Sequence, residues 1–382
     1  MAGLYIHIPF CASRCIYCGF YSTTLLPLRA RYVDALCREM DMLPYKPHIS
    51  TIYLGGGTPS QLTHEKLEKL FHYIYNVYSV DSDAEVTMEC NPDDIHEGMF
   101  RWLPVNRVSM GAQTFSDERL RFLHRRHTAK EVDDAVATLR KDGIKNISID
   151  LMFGFPGETL EDWREDIRHA IALQPEHISA YGLMYEEGTP LYRMLQTGKV
   201  REIDEELSLE MYSTLIDMLT AAGYEHYEIS NFAKKVQSFS NHKVQSSKFK
   251  VQSYRSLHNS SYWHDVPYIG IGAGAHSYYG NTRHWNPDDI KKYIETIESG
   301  RLAYEEEKID ADTHYDDIIT TALRTREGID LSRLDDNHRN FLLENAKDYI
   351  RRGLLVHEDN HLHLSREGIN ISNEIMSDLM DV

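Results

Sequence analysis

The sequence predicts an α/β protein with six βα units, forming either a partial (βα)6 barrel or an open doubly wound sheet, followed by a C-terminal helical, winged-helix-like domain. Three observations predict it. Short apolar, often β-branched runs alternate with longer amphipathic runs through the first half of the chain. Polar and glycine-rich residues recur just past those short runs, and ligands gather at the carboxyl ends of parallel strands in either architecture. From about residue 290 this rhythm gives way to short helical segments and a hairpin.

Strands are expected at 3–8, 51–54, 85–90, 106–111, 146–152 and 177–184, with helices at about 28–43, 62–78, 116–124, 128–143 and 159–173 and another near 205–222. Thr63 before Glu65, and Thr159 before Glu161 and Asp162, read as helix starts. In both a hydroxyl caps free N–H groups and carboxylates face the positive end of the dipole. Beyond residue 184 the pattern loosens: 185–190 reads as a turn and 224–230 as a late strand. Near the end, 324–330 opens a turn, and 354–364 reads as two strands joined by Asp359 and Asn360. With the surrounding helices, these strands supply the wing.

The chain has 382 residues, enough for one large core or two domains. A net charge of −18 argues against nucleic acid as a partner and against a polybasic membrane anchor. No apolar run reaches bilayer length, and no charged segment followed by an apolar one opens the chain. With Cys37 and Cys90 unpaired, the expectation is a cytoplasmic protein without a transmembrane segment. Four regions are expected: 1–233 as the barrel, 234–255 as a flexible basic insertion, 256–289 as a segment completing the core, and 290–382 as an accessory domain. The insertion repeats Lys-Val-Gln-Ser from Lys235, Lys243 and Lys250, and its period is too short and too polar to bury a core.

The strongest chemical signal is Cys11, Cys15 and Cys18, three of the five cysteines, directly behind the first strand. A C-x3-C-x2-C spacing can wrap three thiolates around one iron–sulfur cube, leaving one iron open. A zinc site is the alternative, although a fourth Cys or His close by in sequence would then be expected. Around the same rim fall Gly55 to Thr58 after the second strand, Glu89 and Asn91 after the third, Gln113 after the fourth and Asp150 on the fifth. Each also has a plainer reading. The glycines suit a tight turn, Glu89 suits a solvated strand end, Gln113 a loop amide, and Arg125 lies in the basic run 124–127, usually a solvated face. Asp150 is harder to explain that way, because a carboxylate inside a β-branched strand is costly unless it faces a polar pore. The glycines of 270–274 lack the βαβ context of a dinucleotide fingerprint. His258 lies among aromatic residues, as either a packing histidine or a haem ligand.

These residues carry a resemblance. Tyr5 to Cys11, with Cys15, Tyr17 and Cys18 and then Gly55 to Ser60, resembles the radical S-adenosylmethionine (SAM) superfamily. The similarity is to the branch of oxygen-independent coproporphyrinogen III oxidases (HemN) and HemW-type haem chaperones, and it implies the partial barrel. It further implies a [4Fe–4S] cluster on Cys11, Cys15 and Cys18, and SAM held by Tyr5, Tyr17, Gly56, Gly57, Thr58, Glu89, Gln113, Arg125 and Asp150, with Tyr17 near the adenine. In such proteins the cluster reduces SAM to methionine and a 5′-deoxyadenosyl radical. The oxidases carry a further cysteine two residues past the third ligand, where this chain has Gly19-Phe20. The chaperones carry H-N-x-x-Y-W, matched here by His258 to Trp263. The resemblance therefore implies a chaperone that takes haem as cargo and passes it to an acceptor such as a respiratory protein. Its alternative is SAM-dependent oxidative decarboxylation of coproporphyrinogen III.

Overall fold

The structure is a computed structural model describing residues 1–235 and 253–381. Most of the expected basic insertion therefore lies outside the described residues. The barrel is built from β1 (Ala2–Ile8), α1 (Arg29–Met42), β2 (Ile49–Gly56), α2 (His64–Val77), β3 (Val80–Cys90), β4 (Arg107–Gln113), α3 (Asp117–Phe122), α4 (Ala129–Lys141), β5 (Asn146–Phe153), α5 (Leu160–Ala172) and β6 (His177–Gly182). Strands β1 to β6 pair in parallel and in chain order. That order decides between the two architectures. A doubly wound sheet reverses its strand order at a switch point. Consecutive order with crossovers of one hand instead sends every helix to one face, and the sheet curls into a partial barrel.

Alternation along the strands then separates two environments. Leu4, Ile6 and Ile8 of β1, Ile52 and Leu54 of β2, Val86 and Met88 of β3, Val108 and Met110 of β4, and Ile147 and Ile149 of β5 join one core with the helices. The intervening residues face the barrel interior and are largely polar: Tyr5 and His7, Thr51 and Tyr53, Glu85 and Glu89, Arg107 and Ser109, Ser148 and Asp150. α4 and α5 start with reciprocal caps, Thr128 with Glu131 and Thr159 with Asp162. The expected cap at Thr63 is a correction: its side chain makes no capping hydrogen bond to α2.

Beyond β6 come α6 (Pro190–Gln196), α7 (Glu205–Ala221), β7 (Tyr224–Glu228) and β8 (Asn231–Lys234). The late strand expected over 224–230 thus ends at Glu228, and β8 turns back to pair antiparallel with both β6 and β7. The opposite edge receives α8 (Leu257–Trp263), β9 (Tyr268–Ile271), β10 (His276–Tyr279), β11 (Thr282–Trp285), α9 (Ile290–Glu298) and β12 (Glu305–Lys308). β9 runs parallel beside β1, and β10 to β12 continue antiparallel from it.

The C-terminal unit comprises α10 (Ala311–Ala322), β13 (Ile329–Asp330), α11 (Asp336–Arg351), β14 (Leu355–Glu358), β15 (His361–Leu364), α12 (Arg366–Ile369) and α13 (Ser372–Leu379). It has its own core around Ile319, Leu342, Leu362 and Ile375. Asp359 and Asn360, with φ of 48° and 63°, make the tight turn between β14 and β15. β13 adds a third strand to the expected two-stranded wing. Ile290, Tyr293 and Ile297 of α9 pack in the barrel core, and β12 joins the barrel sheet. No helix among the described residues is long and apolar enough to cross a membrane.

Candidate functional site

The cysteine loop is held at several points. The Cys11 amide donates to the Thr23 carbonyl at 2.9 Å, the Thr23 amide to Pro9 at 2.7 Å, and the Leu191 amide to Ile16 at 2.9 Å. Ile16 anchors the middle of the loop in a small apolar cluster with Leu123, Met152, Phe155, Leu183 and Leu191. Cys11, Cys15 and Cys18 are half-buried and unpaired. Burial, and then the charge of the neighbouring thiols, push Cys11 and Cys18 above the ordinary thiol range. A cationic partner or a metal would offset that. Part of the compensation is present, since Arg125 Nη1 lies 3.6 Å from Cys15 Sγ and Thr58 Oγ1 lies 3.6 Å from Cys11 Sγ. Among the described residues no three His, Cys, Asp or Glu side chains converge as for a single ion.

The glycine loop abuts the cysteine loop for a steric reason. Gly56 has φ of +105°, and a Cβ there would lie 2.3 Å from the His7 ring. A Cβ on Gly57 would lie 2.6 Å from the Pro9 backbone. Their amides are already engaged: Gly56 donates to Glu89 at 3.0 Å, Gly57 to the Ile8 carbonyl at 2.9 Å and Thr58 to the Phe10 carbonyl at 2.8 Å. These three amides are therefore not free to meet a ligand carboxylate.

Glu89 also accepts from the Tyr53 hydroxyl at 2.8 Å, and burial, partly offset by these bonds, pushes its carboxyl up to about 7. Asp150 accepts from Ser109 at 3.2 Å and Ser148 at 3.3 Å, with burial as the main cause of its raised pKa. Gln113 has φ of 67° and sits at a register shift between β4 and β5. Such a conformation in a non-glycine residue is costly and persists where the surroundings enforce it. Arg125, for which a solvated basic run is only the plainer reading, points inward. Its Nη2 donates to Asn91 and to the Gly111 carbonyl, both at 2.7 Å, and its buried Nε has no partner among the described residues. Both of its Nη atoms are therefore already engaged within the protein. Tyr17 sits beside Cys15 and Arg125, and Tyr5 donates to or accepts from His7 Nδ1 at 2.9 Å.

His258 lies beneath this rim, 1% exposed, with Nδ1 2.8 Å from Thr51 Oγ1 and Nε2 2.8 Å from the Tyr262 hydroxyl. Burial lowers its pKa to about 3. Both nitrogens are thus engaged, and an iron could reach this ring only by displacing Thr51 or Tyr262. Two carboxylate oxygens of Glu85 accept the Leu257 and His258 amides and fix the start of α8 against the barrel. At the mouth, a hollow of about 430 Å³ is walled by Tyr5, Tyr21, Tyr262 and Tyr268 and reaches His276. Sequence reasoning missed Tyr53 and, of the wall tyrosines, Tyr21 and Tyr268. The signal was available for Tyr53, as an inward position within an alternating strand. A wider hollow of about 840 Å³, beside Tyr75 and Trp102, lies on the outer helical face and contains none of the rim residues.

The donor set fits the groups expected of it: three half-buried thiols beside a cation, an unpartnered buried guanidinium nitrogen and two carboxylates at one rim. Comparison with known proteins agrees. The Radical SAM superfamily model matches residues 5–170 and the HemN C-terminal domain model matches 309–371. The superfamily implies an iron–sulfur cluster and SAM. The chain is similar to the haem chaperone HemW of Bacillus subtilis, at 34% identity over 98% of each chain. It is also similar to that of Escherichia coli, at 35% identity over 72% of this chain and 69% of the relative. The solved coproporphyrinogen III oxidase HemN of Escherichia coli, described as a radical SAM enzyme, superposes with a TM-score of 0.82 at 20% identity, covering 100% of this chain and 90% of the other. That likeness establishes the α/β radical SAM fold with its C-terminal helical domain. With its sequence identity to HemW sustained from end to end, the chain belongs to the HemW family of the radical SAM superfamily.

Proposed function

We propose that this protein is a haem chaperone of the cytoplasm, which binds haem as cargo and delivers it to an acceptor protein. The observation that carries this reading is the way His258 to Trp263 is built in. Glu85 fixes the start of α8, His258 fixes Tyr262, and Tyr262 forms a wall of the aromatic hollow. No thiol stands two residues past the third cluster ligand, where Phe20 projects 73% exposed.

In this reading Cys11, Cys15 and Cys18 hold the cluster, and SAM lies against Tyr5, Tyr17, Gly56, Gly57, Thr58, Glu89, Gln113, Arg125 and Asp150. A cluster with an open iron supplies an electron to bound SAM. The chain's own residues do the positioning. Arg125 offsets thiolate charge, and Glu89 and Asp150 present carboxylate oxygens to hydroxyl donors. Gly56 and Gly57 let the two loops close on each other. The test is anaerobic reconstitution of the full chain, followed by ferric haem titration and, separately, incubation with SAM and coproporphyrinogen III. Stoichiometric haem uptake and transfer to an apo-haem protein, without porphyrinogen turnover, is the expected result. Catalytic formation of protoporphyrinogen would establish the oxidase reading instead. Replacing any one of Cys11, Cys15 or Cys18 by Ala should abolish the iron–sulfide absorption.

A further inference from the structure

We infer that haem sits in the aromatic hollow at the barrel mouth with His276 as an axial ligand to its iron, an assignment that rests on the chaperone reading above. A haem is a flat apolar ring around a metal that takes imidazole. The hollow offers both requirements. Its volume of about 430 Å³ lies within the range of small-molecule sites, and the rings of Tyr5, Tyr21, Tyr262 and Tyr268 wall it.

Three histidines are close enough to be considered, and two are spoken for. His7 bonds Tyr5 through Nδ1 at 2.9 Å and the Tyr21 carbonyl through Nε2 at 3.1 Å. His258 bonds Thr51 and Tyr262. His276 is exposed, and among the described residues neither ring nitrogen has a hydrogen-bond partner. Its ring is held over Trp285, with centroids 6.2 Å apart and planes at 25°. Partial burial, and then the Arg283 charge, lower its pKa and favour the neutral imidazole that binds metal.

The same assignment accounts for the glycines of 270–274, which match no nucleotide motif. A Cβ on Gly270 would lie 2.0 Å from the His276 carbonyl oxygen, and Gly272 and Gly274 have φ of +107° and +73°. The chain can double back this tightly from β9 to β10, and so bring His276 to the hollow, only without side chains there. His258 then acts as a positioning residue for the Tyr262 wall.

The test is ferric haem titrated into the cluster-loaded full chain, read by Soret difference absorption and by EPR of the haem iron. His276→Ala should weaken haem binding by about tenfold or more and remove the histidine-ligated signature, and added imidazole should restore that signature. His276→Tyr should keep haem bound with a changed ligand signature, which covers the case of a poorly folded alanine variant. His258→Ala should weaken binding while leaving the ligand signature in place. Wild-type affinity and spectra in His276→Ala would overturn the assignment while leaving the chaperone reading intact. Failure of the unmodified chain to take up haem would overturn both.

Discussion

Glu89 receives the Tyr53 hydroxyl and the Gly56 amide, yet burial outweighs these bonds and holds its carboxyl up at about 7. The sign of the consequence is fixed by linkage. A carboxyl raised on folding binds its proton more tightly in the native state than in the unfolded chain, whose value is near 4.5. Stability from this group is therefore full below the unfolded value and is lost as pH climbs through about 7. Glu89→Gln cannot ionise, so its melting temperature relative to the unmodified chain should rise between pH 5 and pH 8. Parallel profiles would show that Glu89 ionises freely. Glu158, also raised to about 7, supplies the same trend in both proteins and drops out of the difference. Glu89 was legible in the sequence because it falls at the end of a strand, as were the thiols because they cluster, whereas Glu158, in the loop before α5, was not. The engagement of His258 by Thr51 was not, since 207 residues separate the partners and only strand pairing brings them together.

Helix starts show how far a local pattern carries. Thr159 and Thr63 both precede acidic residues and read alike, but only Thr159 accepts from the backbone, at Asp162, while Asp162 returns the bond to the Thr159 amide at 2.9 Å. Thr159→Ala should therefore shift the denaturation midpoint by the equivalent of about 1 kcal/mol. Thr63→Ala should shift it far less, and equal shifts would remove the distinction. The six parallel strands were readable from apolar runs, but β10 to β12 were not. β12 is Glu-Glu-Glu-Lys, fully exposed, with no alternation to find, and its conformation follows from pairing with β11 alone. The left-handed Gln113 was equally silent, because a register shift belongs to two strands at once.

Two large cores lie among the described residues, and beside Ile229, which packs against the second, polar groups join them. Glu228 ends β7 with its side chain fully buried, accepting from the Ser230 amide at 2.9 Å and from Asn231 at 2.6 Å. Arg324, from the turn after α10, closes on it at 2.7 Å, and the backbones meet there as well, with the Ile229 amide donating to the Arg324 carbonyl at 3.1 Å. Around this pair Arg255 bridges Glu225 and Glu327 at 2.8 and 2.7 Å, and Arg366 reaches Asp217 at 2.6 Å. The outer pairs are more exposed and are each worth little. The inner one differs because removing Arg324 strands a buried carboxylate whose two remaining donors are neutral. Arg324→Ala should therefore cost about 2 kcal/mol, and the loss should be local. Amide exchange should quicken first over β7, β8 and 311–330, with the barrel strands β1 to β4 protected as before. Arg324→Ala with Glu228→Gln should recover most of the loss, because the carboxamide no longer needs a cation. Uniform loss of protection across the barrel, or no recovery in the double variant, would show that the joint is held by its backbone contacts instead of this ion pair.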